Sequence, residues 1–170
     1  MSDNVRLEDL RRRIEKDPAS IAFAQLAEEC RRLGRHQEAI DICRRGLDRH
    51  PGYLSARVTL GRALLHLGQL DDAQQELDLV LQGAPQNLAA LRALGDVYRR
   101  RGDLPRAMTL YRAAFGLAPN DPELERALAE LSETITQSEN ERENVRTRSL
   151  LAALEQWLTA IHATRAQRSA

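Results

Sequence analysis

Residues 88–121 read LAALRALGDVYRRRGDLPRAMTLYRAAFGLAPND, and the 34 residues before them, 54–87, are laid out on the same plan. Gly102, Gly68 and Gly34 stand 34 apart, as do Ala107, Ala73 and Ala39. Pro119, Pro85 and Pro51 keep the interval, and so do Leu94, Leu60 and Leu26. Four residue types held in one register over three copies, 20–53, 54–87 and 88–121, define an internal repeat. A fixed period of this length signals stacked supersecondary units, each too small to bury its own apolar face.

Within one copy the spacing is helical. Phe23, Leu26, Ala27 and Cys30 fall at i, i+3, i+4 and i+7, an amphipathic face. Gly34 follows the last of them, where a left-handed residue ends a helix. A second stripe over 36–49 carries Ala39, Ile40, Cys43, Gly46 and Leu47, and Pro51 stops it, since proline has no N–H to give. The other copies repeat this with Leu60, Gly61, Leu64, Leu77 and Val80, then with Leu91, Leu94, Gly95, Tyr98, Tyr111, Ala114 and Phe115. Ala27, Gly61 and Gly95 are expected to face Ala39, Ala73 and Ala107. Small residues there let two antiparallel helices approach to the short end of the ~8–10 Å interaxial range.

These positions resemble the tetratricopeptide repeat over 20–121. That family's pattern is a large residue, Leu-Gly/Ala, Tyr, Gly, Ala, an aromatic, Ala and Pro. In the third copy they are Leu91, Leu94-Gly95, Tyr98, Gly102, Ala107, Tyr111, Ala114 and Pro119. Two departures stand in the middle copy: Arg57, where Phe23 and Leu91 are apolar, and Val80 at a small-residue position. The expected fold is an all-α solenoid of three helix-turn-helix repeats with extra helices at both ends.

Val5, Leu7, Leu10 and Ile14 stripe a helix over about 5–16 that ends at Asp17-Pro18, so 1–19 reads as an N-terminal capping helix. Beyond the third repeat, Leu124, Leu128, Leu131 and Ile135 stripe a helix over 122–136 opened by Pro122. The family resemblance makes this the solvating helix that closes the last repeat. Eight acids lie between Asp121 and Asn144 against Arg126 and Arg142, and 137–147 reads as a polar linker. In 148–170, Leu150, Leu151, Leu154, Trp157, Leu158 and Ile161 form a broad apolar face with the only Trp. Such a face calls for cover. Its readings are packing on the solenoid, docking on another chain as a homodimer or partner helix, or lying on a membrane surface beside Arg146, Arg148, Arg165 and Arg168. The membrane reading is the weakest, because few cations share its polar face. Trp157 is expected to be buried.

Composition excludes more than it selects. The 25 basic residues balance 25 acidic ones, which favours neither nucleic acid nor an anionic membrane. Lys16 is the only lysine, an arginine bias that reads as bacterial codon composition. The charged start, Met1 to Arg13, lacks the apolar core of a signal peptide, so the cytoplasm is the expected compartment. Cys30 and Cys43 lack redox or zinc spacing and read as reduced core thiols. His36, His50, His66 and His162 sit in different elements without ligand spacing, and no phosphate-binding glycine loop is present. No cofactor, metal or enzymatic activity is expected.

The resemblance implies a concave groove lined by the first helix of each repeat. It places Ile21, Ala24, Gln25, Glu28, Arg31 and Arg32 there, then Ser55, Val58, Thr59, Arg62, Leu65 and His66, then Ala89, Arg92, Ala93, Asp96, Arg99 and Arg100. Partner-binding candidates are Glu28, Val58, Arg62, Leu65, His66, Arg92, Asp96, Arg99 and Arg100. Six arginines against Glu28 and Asp96 read either as a receptor for an acidic protein or peptide, held by guanidinium forks, or as a solvated face. Tetratricopeptide co-chaperones that grip a C-terminal carboxylate use a Lys/Asn/Asn/Lys/Arg set. Ala24, Glu28, Thr59, Ala89 and Ala93 occupy those positions here, and none matches. The function implied is non-catalytic peptide or protein binding by an adaptor or scaffold. The alternatives are a dedicated chaperone similar in size and plan to type III secretion translocator chaperones, or the regulatory subunit of an enzyme complex.

Overall fold

The computed structural model describes residues 2–17 and 20–168, with side chains described for 6–17 and 20–161. Pro18, the side chains of Val5, His162, Arg165 and Arg168, and the last two residues of the tail lie outside the described residues. The described chain is helical: α1 Ser2–Lys16, α2 Ala22–Arg32, α3 His36–Arg49, α4 Leu54–His66, α5 Leu70–Gly83, α6 Leu88–Arg100, α7 Leu104–Leu117 and α8 Pro122–Arg168. The chain divides into two compact units, residues 1–128 and 129–170.

In the first unit each repeat is a hairpin, and the turn is set by glycine. Gly34, Gly68 and Gly102 have φ of +75°, +77° and +79°, the left-handed region where a Cβ is strained. Each closes the same double hydrogen bond. Arg35 N–H donates to the Cys30 carbonyl at 2.8 Å and Gly34 N–H to Arg31 at 3.1 Å, with equivalents at Gln69 to Leu64, Gly68 to Leu65, Asp103 to Tyr98 and Gly102 to Arg99. Orphan carbonyls at the end of α2, α4 and α6 are thereby satisfied, and the chain reverses in three residues. Starts are fixed by side chains where the sequence allows. Asn87 caps α6 through Ala90 N–H at 3.0 Å, Asp103 caps α7 through Arg106 N–H at 3.2 Å, and Asp121 accepts from Glu123 N–H at 3.0 Å before α8.

The core runs as one apolar cluster from Leu7 and Leu10 of α1 through the hairpins to Val97. Two size compensations hold the hairpins together. A Cβ on Gly61 would lie 2.7 Å from Leu77, and one on Gly95 would lie 2.8 Å from the Tyr111 ring. The side chains seated on these glycines are therefore Leu77 and Tyr111, one turn beyond the expected Ala73 and Ala107. A helical side chain leans back over the turn N-terminal to its own Cα, so the small Ala73 and Ala107 make room for it. At the same register the first repeat pairs a larger Ala27 with a smaller Cys43, both fully buried.

The second compensation explains both departures in the middle copy. The Phe23 ring lies on Gly46, where a Cβ would come within 2.0 Å of it. By the 34-residue register the equivalent pairs are Arg57 with Val80 and Leu91 with Ala114. Arg57 replaces the ring with a long stem whose guanidinium donates to the Pro51 carbonyl at 2.8 Å and to Glu76 at 2.6 Å. The charge is thus carried to the rim while the thinner stem leaves room for a buried Val80.

In the second unit the structure differs from the sequence expectation. One helix, α8, runs from Pro122 to Arg168 in place of a helix over 122–136, a linker over 137–147 and a further helix. The 137–147 stretch has few apolar residues, but it also lacks Pro and Gly. It is rich in good helix formers, with Glu139–Arg142 and Glu143–Arg146 at i,i+3. Low hydrophobicity is not low helicity. Within the single chain Trp157 is 61% exposed, and Leu150, Leu151, Leu154 and Leu158 are 50–59% exposed.

Gly95→Leu is expected to lower unfolding stability by about 1–3 kcal/mol through overpacking against Tyr111. Gly116, in α7, supplies the contrast, because a Cβ added there would meet nothing within 4 Å. Gly116→Ala is expected to stabilise by about 0.5–1 kcal/mol. Urea titration reads both. A Gly95→Leu protein as stable as the wild type would show that Tyr111 does not sit on this backbone.

Candidate protein-binding groove

The first helices of successive repeats, α2, α4 and α6, pack side by side. Their outward faces form a hollow of about 560 Å³ lined by Gln25, Glu28 and Arg32 of α2, Val58, Thr59 and Arg62 of α4, and Ala89 of α6. Ala24 and Ser55 also reach it. Four residues outside the expected groove positions join them: Arg6 from α1, Glu29 of α2, Tyr53 from the loop before α4 and Asn87 from the loop before α6. No repeat position marks Arg6, which is held by Glu29 at 3.3 Å, so the period could not have pointed to it. Tyr53 and Asn87 precede their helices and carry a signal only as helix starts.

Glu28 is the hub of the hollow. Arg31 grips it with two bonds, Nε at 2.9 Å and Nη2 at 2.7 Å, and the Thr59 hydroxyl donates to it at 3.2 Å. Arg32 approaches at 3.4 Å and Arg62 at 3.9 Å. Burial pushes the Glu28 carboxyl up, but the hydrogen bonds and charge of Arg31, with Arg62 and Thr59, outweigh it and hold the group below its ordinary range. Arg62 has the opposite balance. Burial and then the like charges of Arg31, Arg92 and Arg32 push its guanidinium down, against the opposing charge of Glu28.

The other candidates separate into local groups. Arg92 turns to Asp121 and Glu123 at 2.6 and 2.5 Å, tying α6 to the start of α8. Asp96 accepts from the Tyr111 hydroxyl at 2.5 Å and from Arg99 at 3.3 Å. Arg100 donates to the carbonyl of Leu65 at 2.5 Å, and the Leu65 side chain is buried. Val58 is buried as well, at the floor of the hollow. Of the nine partner-binding candidates, Glu28, Val58 and Arg62 meet in one concavity. The uniform basic face suggested by six arginines is largely a set of internally paired groups, in which Arg62 keeps only a long 3.9 Å contact to Glu28.

His66 lies at the C-terminal end of α4, stacked on His36 of α3 with centroids 4.4 Å apart and planes 5° from parallel. The His36 Nδ1 atom is buried without a hydrogen-bond partner. Burial lowers the His66 pKa, and the charges of His36, Arg31, Arg100 and Arg62 lower it further. Cys30 and Cys43 are buried thiols pushed up by burial to about 11 and about 12, which suits packing and not nucleophilic work. Among the described residues no three His, Cys, Asp or Glu side chains gather to hold a metal ion, and no helix is long and apolar enough to cross a membrane.

A His66 pKa held below its unfolded value of 6.5 means the folded state resists protonation. Its contribution is present above that pH and is lost as pH falls from there through the folded pKa. The melting temperature is therefore expected to fall as the pH drops below 6.5, and His66→Gln is expected to flatten that fall. Parallel slopes in the two proteins would remove His66 as the cause.

The sequence matches the tetratricopeptide repeat family over residues 31–94 and again over 88–131. A curated relative, the phagocyte signaling-impaired protein of Drosophila pseudoobscura pseudoobscura, is 30% identical over 92 residues, 54% of this chain and 10% of that protein. The chain thus spans about a tenth of that relative's length. Among solved structures, MamA 41-end from Desulfovibrio magneticus RS-1 superposes with a TM-score of 0.73 at 21% identity, covering 84% of this chain and 81% of the other. The first TPR of Spaghetti (RPAP3), bound to the HSP90 peptide SRMEEVD, superposes with a TM-score of 0.66 at 19% identity, covering 70% and 94%. With the glycine turns, the paired helices and these matches in agreement, the chain belongs to the tetratricopeptide repeat family.

Proposed function

We propose that the chain is a non-catalytic adaptor or scaffold that holds an acidic protein segment in the hollow between α2, α4 and α6. The observation that carries this reading is the environment of Arg62. It stands in the concavity, its side chain 39% exposed, with Glu28 only at 3.9 Å and the guanidinium pushed down by burial and then by the like charges of Arg31, Arg92 and Arg32. A carboxylate from a partner would relieve that repulsion and accept from the guanidinium fork. Arg32, with 62% of its side chain exposed, supplies a second donor at the rim.

The solved domain of the same fold with a bound HSP90 peptide, SRMEEVD, supports a peptide-binding use of this fold. The grip must differ from a terminal-carboxylate clamp, because Ala24, Glu28, Thr59, Ala89 and Ala93 offer no cation at those positions. Glu28 would repel a carboxylate placed against it, so the acidic side chain is directed to the Arg62 side of the hollow. With Val58 and Ala89 as a small apolar floor, the groove suits an extended segment that alternates acidic and apolar side chains. In the cytoplasm, the compartment this proposal adopts, Cys30 and Cys43 remain reduced core thiols.

Capture with the immobilised full chain, followed by mass spectrometry, supplies the partner, and titration then tests the groove. Affinity is expected to fall as salt rises, because exposed charge pairs are screened. Arg62→Glu is expected to weaken binding at least about tenfold, a loss of ~1.4 kcal/mol, with Arg99→Glu as the weaker companion, while the melt changes little. A partner that binds the Arg62→Glu protein as tightly as the wild type would overturn the acidic-segment reading.

A further inference from the structure

We propose that the exposed apolar face of α8 is a self-association surface whose occupant is the same face of a second copy, paired in parallel. Leu150, Leu151, Leu154, Trp157 and Leu158 are 50–61% exposed and Ile161 is 38% exposed. Six large apolar side chains, roughly half exposed, present on the order of 600 Å² of apolar area if each is taken at the ~150–250 Å² of a large side chain. That is the upper end of the patches monomers carry, ~300–600 Å². Two copies face to face would bury about 1,200 Å², the lower limit of a stable interface.

The register points to a second copy and to its direction. Leu151, Leu154, Leu158 and Ile161 alternate by three and four residues, the a and d positions of two heptads, with Leu150 and Trp157 widening the seam at g. One heptad earlier the same frame puts Asn144 at a, Glu143 at g and Arg148 at e. In a parallel pair Asn144 meets its own counterpart, and each Glu143 meets the Arg148 of the other helix, an attractive g-to-e pair on both sides. In an antiparallel pair e faces e, and Glu155 is set beside its own counterpart at the centre of the seam. Charge complementarity therefore selects the parallel arrangement, and one assembly carries two grooves, which raises avidity for a partner with repeated acidic segments.

Sedimentation equilibrium of the full chain is the test. The expected result is a monomer–dimer equilibrium with Trp157 emission moving to the blue as concentration rises. Leu151→Glu combined with Leu158→Glu is expected to leave a monomer whose thermal melt retains the solenoid transition. Asn144→Cys is expected to give a disulfide-linked dimer on mild oxidation, since Cys30 and Cys43 are buried and do not compete. Glu143→Arg is expected to weaken the dimer, and mixing it with an Arg148→Glu chain to restore pairing between the two. A chain that stays monomeric with unshifted Trp157 emission at every concentration overturns the proposal, whether or not vesicles or another protein then shift that emission. So does a dimer that survives the double glutamate substitution. A dimer cross-linked through Glu155→Cys but not through Asn144→Cys overturns the parallel register.

Discussion

A large side chain lying directly on the backbone of the facing helix is the contact on which the rest of the first unit depends. Leu77 sits on Gly61, Tyr111 on Gly95 and Phe23 on Gly46, each where even a methyl group would collide. The contact fixes how far two helices of a hairpin can slide or separate, because cores are close-packed and respond to a single added carbon. Once the hairpins are rigid, the left-handed glycines set the reversal and the prolines after the second helices set the exit. The stacking of first helices, and so the hollow on their outer face, follows from these local constraints repeated at one period.

The hollow inherits a charge arrangement that the stack alone would not produce. Glu28 takes Arg31 in a bidentate grip and a bond from Thr59 of the next repeat, which pins α2 to α4 across the floor. This uses most of the carboxylate's acceptor capacity and leaves Arg62 at 3.9 Å, the longest of its contacts. Arg92 performs a comparable tie at the other end, from α6 to Asp121 and Glu123. Ion pairs at this degree of exposure add little stability each. Their consequence for the proposed function lies in leaving the part-exposed Arg62 guanidinium with only a 3.9 Å contact to Glu28.

The repeat architecture was legible in the sequence because its determinants are local and few. Left-handed glycine, helix-stopping proline and a small residue at a close approach each have a narrow chemical solution, and they recur at Gly34, Pro51, Ala39 and their equivalents. The departures at Arg57 and Val80 were visible but not interpretable, since they compensate each other across a hairpin and the register of facing positions was set one turn away, at Ala73 and Ala107. The groove was legible as a set of positions only. Which arginine closes on which carboxylate depends on rotamers and on neighbours such as Arg6, which stands outside the period. The continuity of α8 was hidden for a plainer reason: apolar content is a poor sign of helix there, whereas Glu139, Arg142, Glu143 and Arg146 support one through local charge pairs and intrinsic propensity.

The central claim is that the outer face of α2 and α4 is the working surface. Hydrogen–deuterium exchange of the full chain, alone and saturated with a captured acidic peptide, addresses it most directly. Slowed exchange in residues 24–32 and 55–62, with the outer turns of α3, α5 and α7 unchanged, is the result this account requires. Protection confined to α3, α5 and α7, with 24–32 and 55–62 exchanging as in the free chain, would contradict it.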